Sequence, residues 1–241
     1  MATLITLCCI PLFIKLGLWQ YHKAEQKQSL QTMYDAYAHE APEALPAAIA
    51  QPEEWRYRQI KVVGEYQPRY QILLDNQVEN DLVGYHVITP LKIQGTQRFI
   101  LIDRGWIAAK DNHSDLPKID TPSGVQVVTG QGWPPSTKFY TLQAPVPQSG
   151  AAWQPVWQNM DMGLYGKSVP FELATLVIRL DPQSKAGGFV RNWQRPDDRI
   201  TTNIGYAYQW FGFAVATLAI YIFISCKKVT VINDGETISA E

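Results

Sequence analysis

The residues best suited to acid–base chemistry are one histidine and two aspartates in three apolar runs. His86 lies in GYHVITP, and Asp75 and Asp103 follow apolar residues in ILLDNQ and ILIDRG. A site could form if the three side chains met across neighbouring strands. The commoner arrangements are a strand histidine bonded to a carbonyl, and aspartates that cap the turns before Asn76 and Arg104. Strand alternation decides whether the three converge in one pocket.

Other chemistry has little support in the sequence. It contains no Gly-x-Ser-x-Gly, Cys-x-x-Cys or His-Glu-x-x-His motif and no phosphate-binding glycine loop. We expect His113 to be exposed in its polar turn. Cys8, Cys9 and Cys226 are the three cysteines and all fall in apolar terminal runs, so the region between these runs has no disulfide and no thiol nucleophile. A net charge of −1 offers no basic surface for nucleic acid.

An aromatic-rich apolar run near the C-terminus predicts a transmembrane helix over residues 203–226. It has no formal charge from Ile204 to Cys226, about 23 residues, and a helix of roughly 35 Å would cross a hydrocarbon core. Aromatic residues crowd its first two turns, and Lys227 and Lys228 close it, which is typical of an aromatic belt and a positive-inside signal. We therefore expect 227–241 to be a cytoplasmic tail. The alternative, a buried core helix, requires a longer all-apolar helix than such a domain usually buries.

A second apolar run, residues 1–20, predicts another transmembrane helix, although Pro11 and Lys15 weaken its hydropathy. No small-x-small cleavage site follows it, and Leu7 before Cys8 does not favour lipidation, so we expect an uncleaved anchor. Two spans would put both termini in the cytoplasm and roughly 180 residues outside. Because no transit segment rich in Arg and Ser precedes the first span, we expect a bacterial inner membrane and a periplasmic central domain.

The region between the spans changes from helix to strand. Residues 21–52 predict an amphipathic helix, with apolar residues at spacings of three and four, and then a linker rich in Ala and Pro. Residues 53–202 predict a mainly antiparallel β domain, either a barrel or a sandwich. One helix is expected in DMGLYGKSVPFELA. The predicted strands are RQIKVVGEY, YQILLDNQ, GYHVITPLKI, RFILIDRGWI, VQVVTGQGW, TLVIRLD and GGFVRNW.

Four phrases, in this order, resemble the surfeit-locus family of cytochrome c oxidase assembly factors: LGLWQYHKAEQK, LLDNQVENDLVGYHVITPL, ILIDRGWIA and YAYQWFGFA. The resemblance covers nearly the whole chain, including the two anchors. It implies a non-catalytic factor that helps to insert or retain heme a in the catalytic subunit of cytochrome c oxidase or of a related quinol oxidase. Heme A synthase is a further partner that it implies.

The resemblance places contacts with heme or a partner at the outer ends of the spans. The family usually reads His-Leu-x-Tyr-Ala there, with a histidine associated with heme binding, whereas this chain has Asn203-Ile204-Gly205-Tyr206-Ala207. Asparagine offers no imidazole nitrogen to iron. His22 is expected at the same level and would take this role if the helices pack side by side; the alternative is a solvated histidine. The other candidate contacts are Trp19, Gln20, Tyr206 and Trp210, with membrane anchoring as the alternative for the tryptophans.

Three further positions carry physical expectations. Gly17 would let the second helix approach closely, at Gly205 or Gly212. Gln209 would need a hydrogen-bond partner within the membrane. Arg104 would either face water or bind a heme propionate.

Two other classes of protein stay open. One is a membrane-anchored envelope scaffold or binding protein unrelated to respiration. The other is a membrane-bound enzyme that uses Asp75, His86 and Asp103.

Overall fold

The computed structural model describes residues 2–110, 112, 115–136, 153–196 and 199–238, with the backbone alone for 227–238. The chain divides into a helical unit, Met1–Met33 with Arg195–Glu241, and a β unit, Tyr34–Gln194. His113 and the side chains of Lys227 and Lys228 lie outside the described residues, and so do the expectations placed on them.

The described part of the chain contains three α-helices, α1, Ala2–Tyr37, α2, Met162–Ser168, and α3, Ile200–Ile238, and two short 3-10 helices, Pro52–Trp55 and Pro68–Tyr70. Helix α1 and the stretch Ile200–Cys226 of α3 are each long and apolar enough to cross a membrane. Helix α1 continues through Pro11 and onward to Tyr37. The amphipathic stretch is therefore a direct continuation of the first apolar helix.

Contacts between α1 and α3 show that the two helices are antiparallel. Thr3, near the start of α1, lies 3.4 Å from the hydroxyl of Tyr221. Further along α1, the Phe13 ring stacks on Trp210, which is earlier in α3, with 5.8 Å between ring centroids. The outward faces of both helices expose large apolar side chains, as a lipid-facing surface requires, among them Leu4, Leu7, Leu12, Val215, Ile220 and Phe223.

Small residues let α1 and α3 approach closely. A Cβ atom on Gly17 would clash with the ring of Phe211, so glycine is needed at this crossing. The expected contact at Gly205 or Gly212 is wrong, because a Cβ at either position would meet nothing within 4 Å. The small residues buried in the helical unit are Gly17, Ala24, Ala207 and Ala214.

The β unit is a sheet-rich domain, as the sequence predicts. Its strands are β1, Glu43–Ala44, β2, Gln59–Tyr66, β3, Ile72–Glu79, β4, Leu82–Ile93, β5, Arg98–Ala108, β6, Val125–Trp133, β7, Val156–Trp157, and β8, Glu172–Leu180. They pair in the order β1-β2-β6-β8-β5-β4-β3-β7. Strand β2 also pairs with β4, so the ladder β2-β6-β8-β5-β4 returns to β2. Five of these pairs are antiparallel, and three are parallel: β1 with β2, β3 with β7, and β5 with β8.

Six of the predicted runs form strands, but GGFVRNW does not. Within that run Val190 makes an isolated bridge to Trp106. Helix α2 begins after Asp161, whose side chain accepts a hydrogen bond from the Leu164 N–H. The expected helix ends earlier than its sequence pattern, because Glu172 already begins β8.

Strand β5 is covered on both faces, which decides where its polar residues lie. Ile100 and Ile102 pack in the core cluster shared by β2, β6 and β8, whereas Leu101 packs on the other face with Tyr165 of α2. Because side chains alternate along a strand, Arg104 follows the two isoleucines to the inner face. Asp103 follows Leu101 to the opposite face.

Candidate functional site

A polar cluster lies between α1 and α3 at Asn203. The Asn203 side chain is buried; its Oδ1 accepts a hydrogen bond from Lys27 Nζ at 2.8 Å, and its Nδ2 donates to Gln20 Oε1 at 2.7 Å. Both ends of the amide therefore have partners, as a buried polar group requires. Gln20 and Asn203 are among the residues that the sequence singles out, and Lys27 is an addition from the structure.

His22 points away from this cluster. Its side chain is 66% exposed, and its Nδ1 lies 3.0 Å from Glu25 Oε2 on the same helix. Positions 20 and 27 lie on the face of α1 that meets α3, and position 22 is about 200° around the helix from position 20 at 100° per residue. The structure therefore brings Gln20 and Lys27 to Asn203, but not His22. This helical geometry is readable from the sequence spacing.

The aromatic candidates divide into two groups. Trp210 is an interface residue, packed against Phe13. Trp19 is 56% exposed, with Lys23 Nζ 5.2 Å from its ring centroid, and Tyr206 is 50% exposed. Trp19 and Tyr206 are thus free to meet lipid headgroups or another protein.

Gln209 shares the exposure of these aromatic residues. Its side chain is exposed on α3, and it makes no hydrogen bond to any other residue of the described part of the chain. Within a membrane such an amide favours a partner from another helix.

A heme iron does not fit the residues at position 203. The Asn203 amide oxygen and nitrogen are both engaged with α1 side chains, and an amide cannot supply the imidazole nitrogen of an axial ligand. His22 is the one histidine of the helical unit. Because His22 Nδ1 contacts Glu25, Nε2 is the ring nitrogen of His22 that could bind iron.

Arg104 is fully buried on the inner face of β5, so the expectation of a solvated side chain is wrong. The rings of Tyr66 and Phe189 lie 5.1 and 5.0 Å from the guanidinium carbon. Burial lowers the pKa of Arg104, and the nearby Tyr66 and Asp120 oppose that shift. A heme propionate would have to displace its protein acceptors. These are the backbone oxygens of Gly187 at 2.7 Å and Asp120 at 2.5 Å, Thr121 Oγ1 at 2.9 Å, and Gln71 Oε1 and Thr89 Oγ1 at 3.4 Å.

A polar cavity of about 380 Å³ lies against β3, β4, β5 and β8. His86 and Asp103 both line it, and His86 Nδ1 lies 3.0 and 2.9 Å from the two Asp103 carboxylate oxygens. The expected carbonyl partner of His86 is therefore wrong. Asp75 does not line the cavity; its Oδ1 accepts from the Asn76 N–H at 2.8 Å, which is the predicted turn capping. Only two of the three acid–base candidates converge.

Arg179 is the cavity residue that the sequence reasoning missed. It pairs in register with Asp103 across β5 and β8, and its guanidinium carbon lies 4.2 Å from the Trp133 ring centroid and 5.2 Å from that of Trp193. Burial lowers the pKa of Arg179, and the charge of Asp103 is the largest opposing effect. The signal in the sequence is a lone cation within LVIRL, residues 176–180, where the other four residues are apolar.

The comparisons with known proteins agree with the resemblance. The model of the SURF1 family matches residues 7–215, which is most of the chain. This chain therefore belongs to the SURF1 family. A SURF1-like protein of Monosiga brevicollis is 22% identical over 228 residues, 88% of this chain and 83% of that protein. A SURF1-like protein of Rickettsia felis is 20% identical over 252 residues, 95% of this chain and 98% of that protein. The cytochrome oxidase assembly protein SHY1 of Saccharomyces cerevisiae is 27% identical over 95 residues, 39% of this chain and 24% of that protein.

Proposed function

We propose that this protein is a membrane-anchored assembly factor for cytochrome c oxidase and acts by binding rather than by catalysis. The observation that carries the proposal is the family match over 7–215, which covers most of α1, the whole β unit and the first part of α3. The yeast relative is named as a cytochrome oxidase assembly protein, and this name supports the assignment to oxidase assembly.

The proposed location is a bacterial inner membrane, with the β unit in the periplasm and both termini in the cytoplasm. The antiparallel contacts of two apolar helices support this arrangement, because the outer ends of the pair then lie on one side. The Rickettsia felis relative, which is matched along nearly its full length, supports a bacterial setting.

The proposed partner is the catalytic, heme-bearing subunit of the oxidase, with heme A synthase as a second partner. Gln209, Trp19 and Tyr206 are exposed, so these side chains are the ones we assign to contact with another membrane protein. Asn203 has a different role in this scheme. It holds α1 against α3 through Gln20 and Lys27 and does not ligate heme.

The first experiment is a reduced-minus-oxidised spectrum of membranes from a strain that lacks the gene. We expect a lower heme a band together with lower oxidase activity, both restored by the wild-type gene. A triple substitution, Trp19→Ala, Tyr206→Ala and Gln209→Leu, should fail to restore them while the protein still accumulates in the membrane. Unchanged oxidase in the deletion strain would overturn the proposal and favour the envelope scaffold.

Heme contact through His22 is tested on the purified protein. If heme a is held at this end of the helical unit, His22→Ala should remove bound heme, whereas His39→Ala, at an exposed position of the β unit, should not. Asn203→His restores the residue type that the family resemblance implies, and it should raise heme content. Equal heme content in all variants would exclude ligation at both positions.

A further inference from the structure

We propose that the cavity against β3, β4, β5 and β8 binds a small ligand through an oxyanion, a carboxylate or a phosphate, held by Arg179. This inference rests on the β unit alone and does not depend on the oxidase role.

Arg179 is a partly buried cation; Asp103, which pairs with it in register across β5 and β8, is a nearby negative charge but forms no ion pair with it. Among the residues that the structure describes, none forms an ion pair or a hydrogen bond with its side chain, and its Nε is buried with no acceptor. Removing a guanidinium from water without direct contact to a counter-charge is unfavourable. The Trp133 and Trp193 rings flank the guanidinium and restrict its position, which leaves its N–H edge for an oxyanion.

The carboxylates around the cavity are already engaged. Asp103 accepts from the Gly105 N–H at 3.2 Å in addition to its contact with His86. Glu79 accepts from Asn192 Nδ2 at 2.7 Å. Neither carboxylate forms an ion pair with Arg179, which leaves direct contact with the guanidinium to the anion of a ligand.

The remaining lining suits a small polar molecule. A volume of about 380 Å³ is near the lower end of the range for ligand sites, which starts at about 300 Å³. With Nδ1 directed to Asp103, His86 keeps Nε2 for a second polar contact. Five amide side chains on the wall can donate or accept hydrogen bonds: Gln77, Gln158, Asn159, Asn192 and Gln194.

The test is a calorimetric titration of the purified full chain in a neutral detergent. Inorganic phosphate and succinate are titrated separately at constant ionic strength, with sodium chloride as the control. Saturable binding of phosphate alone identifies a phosphate ligand, binding of succinate alone identifies a carboxylate, and binding of both supports a general oxyanion site. Binding of neither anion at concentrations up to about 10 mM, far above the micromolar range of specific ligands, overturns the proposal.

Matched variants separate the cavity from general surface charge. Arg179→Gln should abolish saturable binding, whereas Arg69→Gln, which removes the same charge from an exposed position outside the cavity, should bind as the parent does. Gln194 is exposed on the cavity wall and leaves Arg179 and the tryptophans intact when replaced. Gln194→Glu should weaken binding about fivefold and Gln194→Lys should strengthen it about as much, because each places one charge near the anion. Equal affinity in both Gln194 variants and in Arg179→Gln would show that the anion binds elsewhere.

Discussion

Arg104 on β5 and Arg179 on β8 are two arginines of one sheet, each placed between two aromatic rings. Arg104 lies on the inner face and has five protein acceptors, whereas Arg179 lines a cavity on the other face and has none in the described part of the chain. Aromatic stacking is common to both, so it does not distinguish their roles. The number of acceptors distinguishes them. Arg104 hydrogen-bonds to loop residues and holds them against the core, whereas the guanidinium of Arg179 is available to bind a ligand.

The largest effect is expected from Arg104→Leu. The change leaves five acceptors without their donor, among them the part-buried Gly187 and Asp120 oxygens and the buried Thr89 hydroxyl, and should lower the free energy of unfolding by about 3–5 kcal/mol. The measurement is urea unfolding followed by tryptophan fluorescence. Arg104→Lys keeps the charge but loses the planar fork, so its loss should be smaller. A Leu variant as stable as the parent would contradict the structural role.

The next effect is a pH dependence that arises beside Arg104. Burial raises the pKa of Tyr66 to about 12, while Arg104 and Arg191 oppose the shift, and the hydroxyl donates to the Ala186 oxygen at 2.9 Å. The folded protein therefore favours the neutral phenol more than the unfolded chain does. This contribution, up to about 3 kcal/mol, is present below pH about 10 and is lost as the pH rises to about 12.

Tyr66→Phe isolates that contribution. The variant should lose about 1 kcal/mol at neutral pH, since it lacks the hydrogen bond to Ala186. Its stability should fall less steeply than that of the parent between pH 10 and 12. Unfolding by urea at a series of pH values gives both slopes, and parallel slopes would show that Tyr66 does not report on the Arg104 cluster.

Lys27 in the helical unit is a third cation, and it can be compared with Arg104 and Arg179. Lys27 donates to Asn203, which also donates to Gln20. Asn203→Leu removes both hydrogen bonds and should destabilise the packing of α1 on α3 by about 1–2 kcal/mol. Asn203→Asp keeps an acceptor for Lys27 and should cost less. Thermal unfolding in detergent, read by helical circular dichroism, ranks the two variants; the reverse order would exclude a stabilising role for the Lys27 contact.

The sequence predicts the elements of this protein better than their contacts. The length of their apolar runs identifies α1 and α3, and β-branched runs identify six strands. The His86–Asp103 pair depends on the register between β4 and β5, which shifts between His86 and Ile88, and a register shift has no sequence signal of its own. Arg179 depends on Trp133 and Trp193, which are remote from each other in the chain. The face of α1 that excludes His22 is, in contrast, predictable from helical spacing.

The smallest effect on folding is expected from Arg179→Gln. This variant tests directly whether Arg179 differs in role from Arg104. Because none of the described residues accepts a hydrogen bond from the Arg179 side chain, its removal should change stability without ligand by less than about 1 kcal/mol: the lost contacts with the two indoles and the relieved desolvation of the cation have opposite signs. Saturating phosphate or succinate, whichever binds, should raise the melting temperature of the parent but not of the variant. If Arg179→Gln instead destabilises as much as Arg104→Leu, both arginines are structural and the difference in acceptors has no functional meaning.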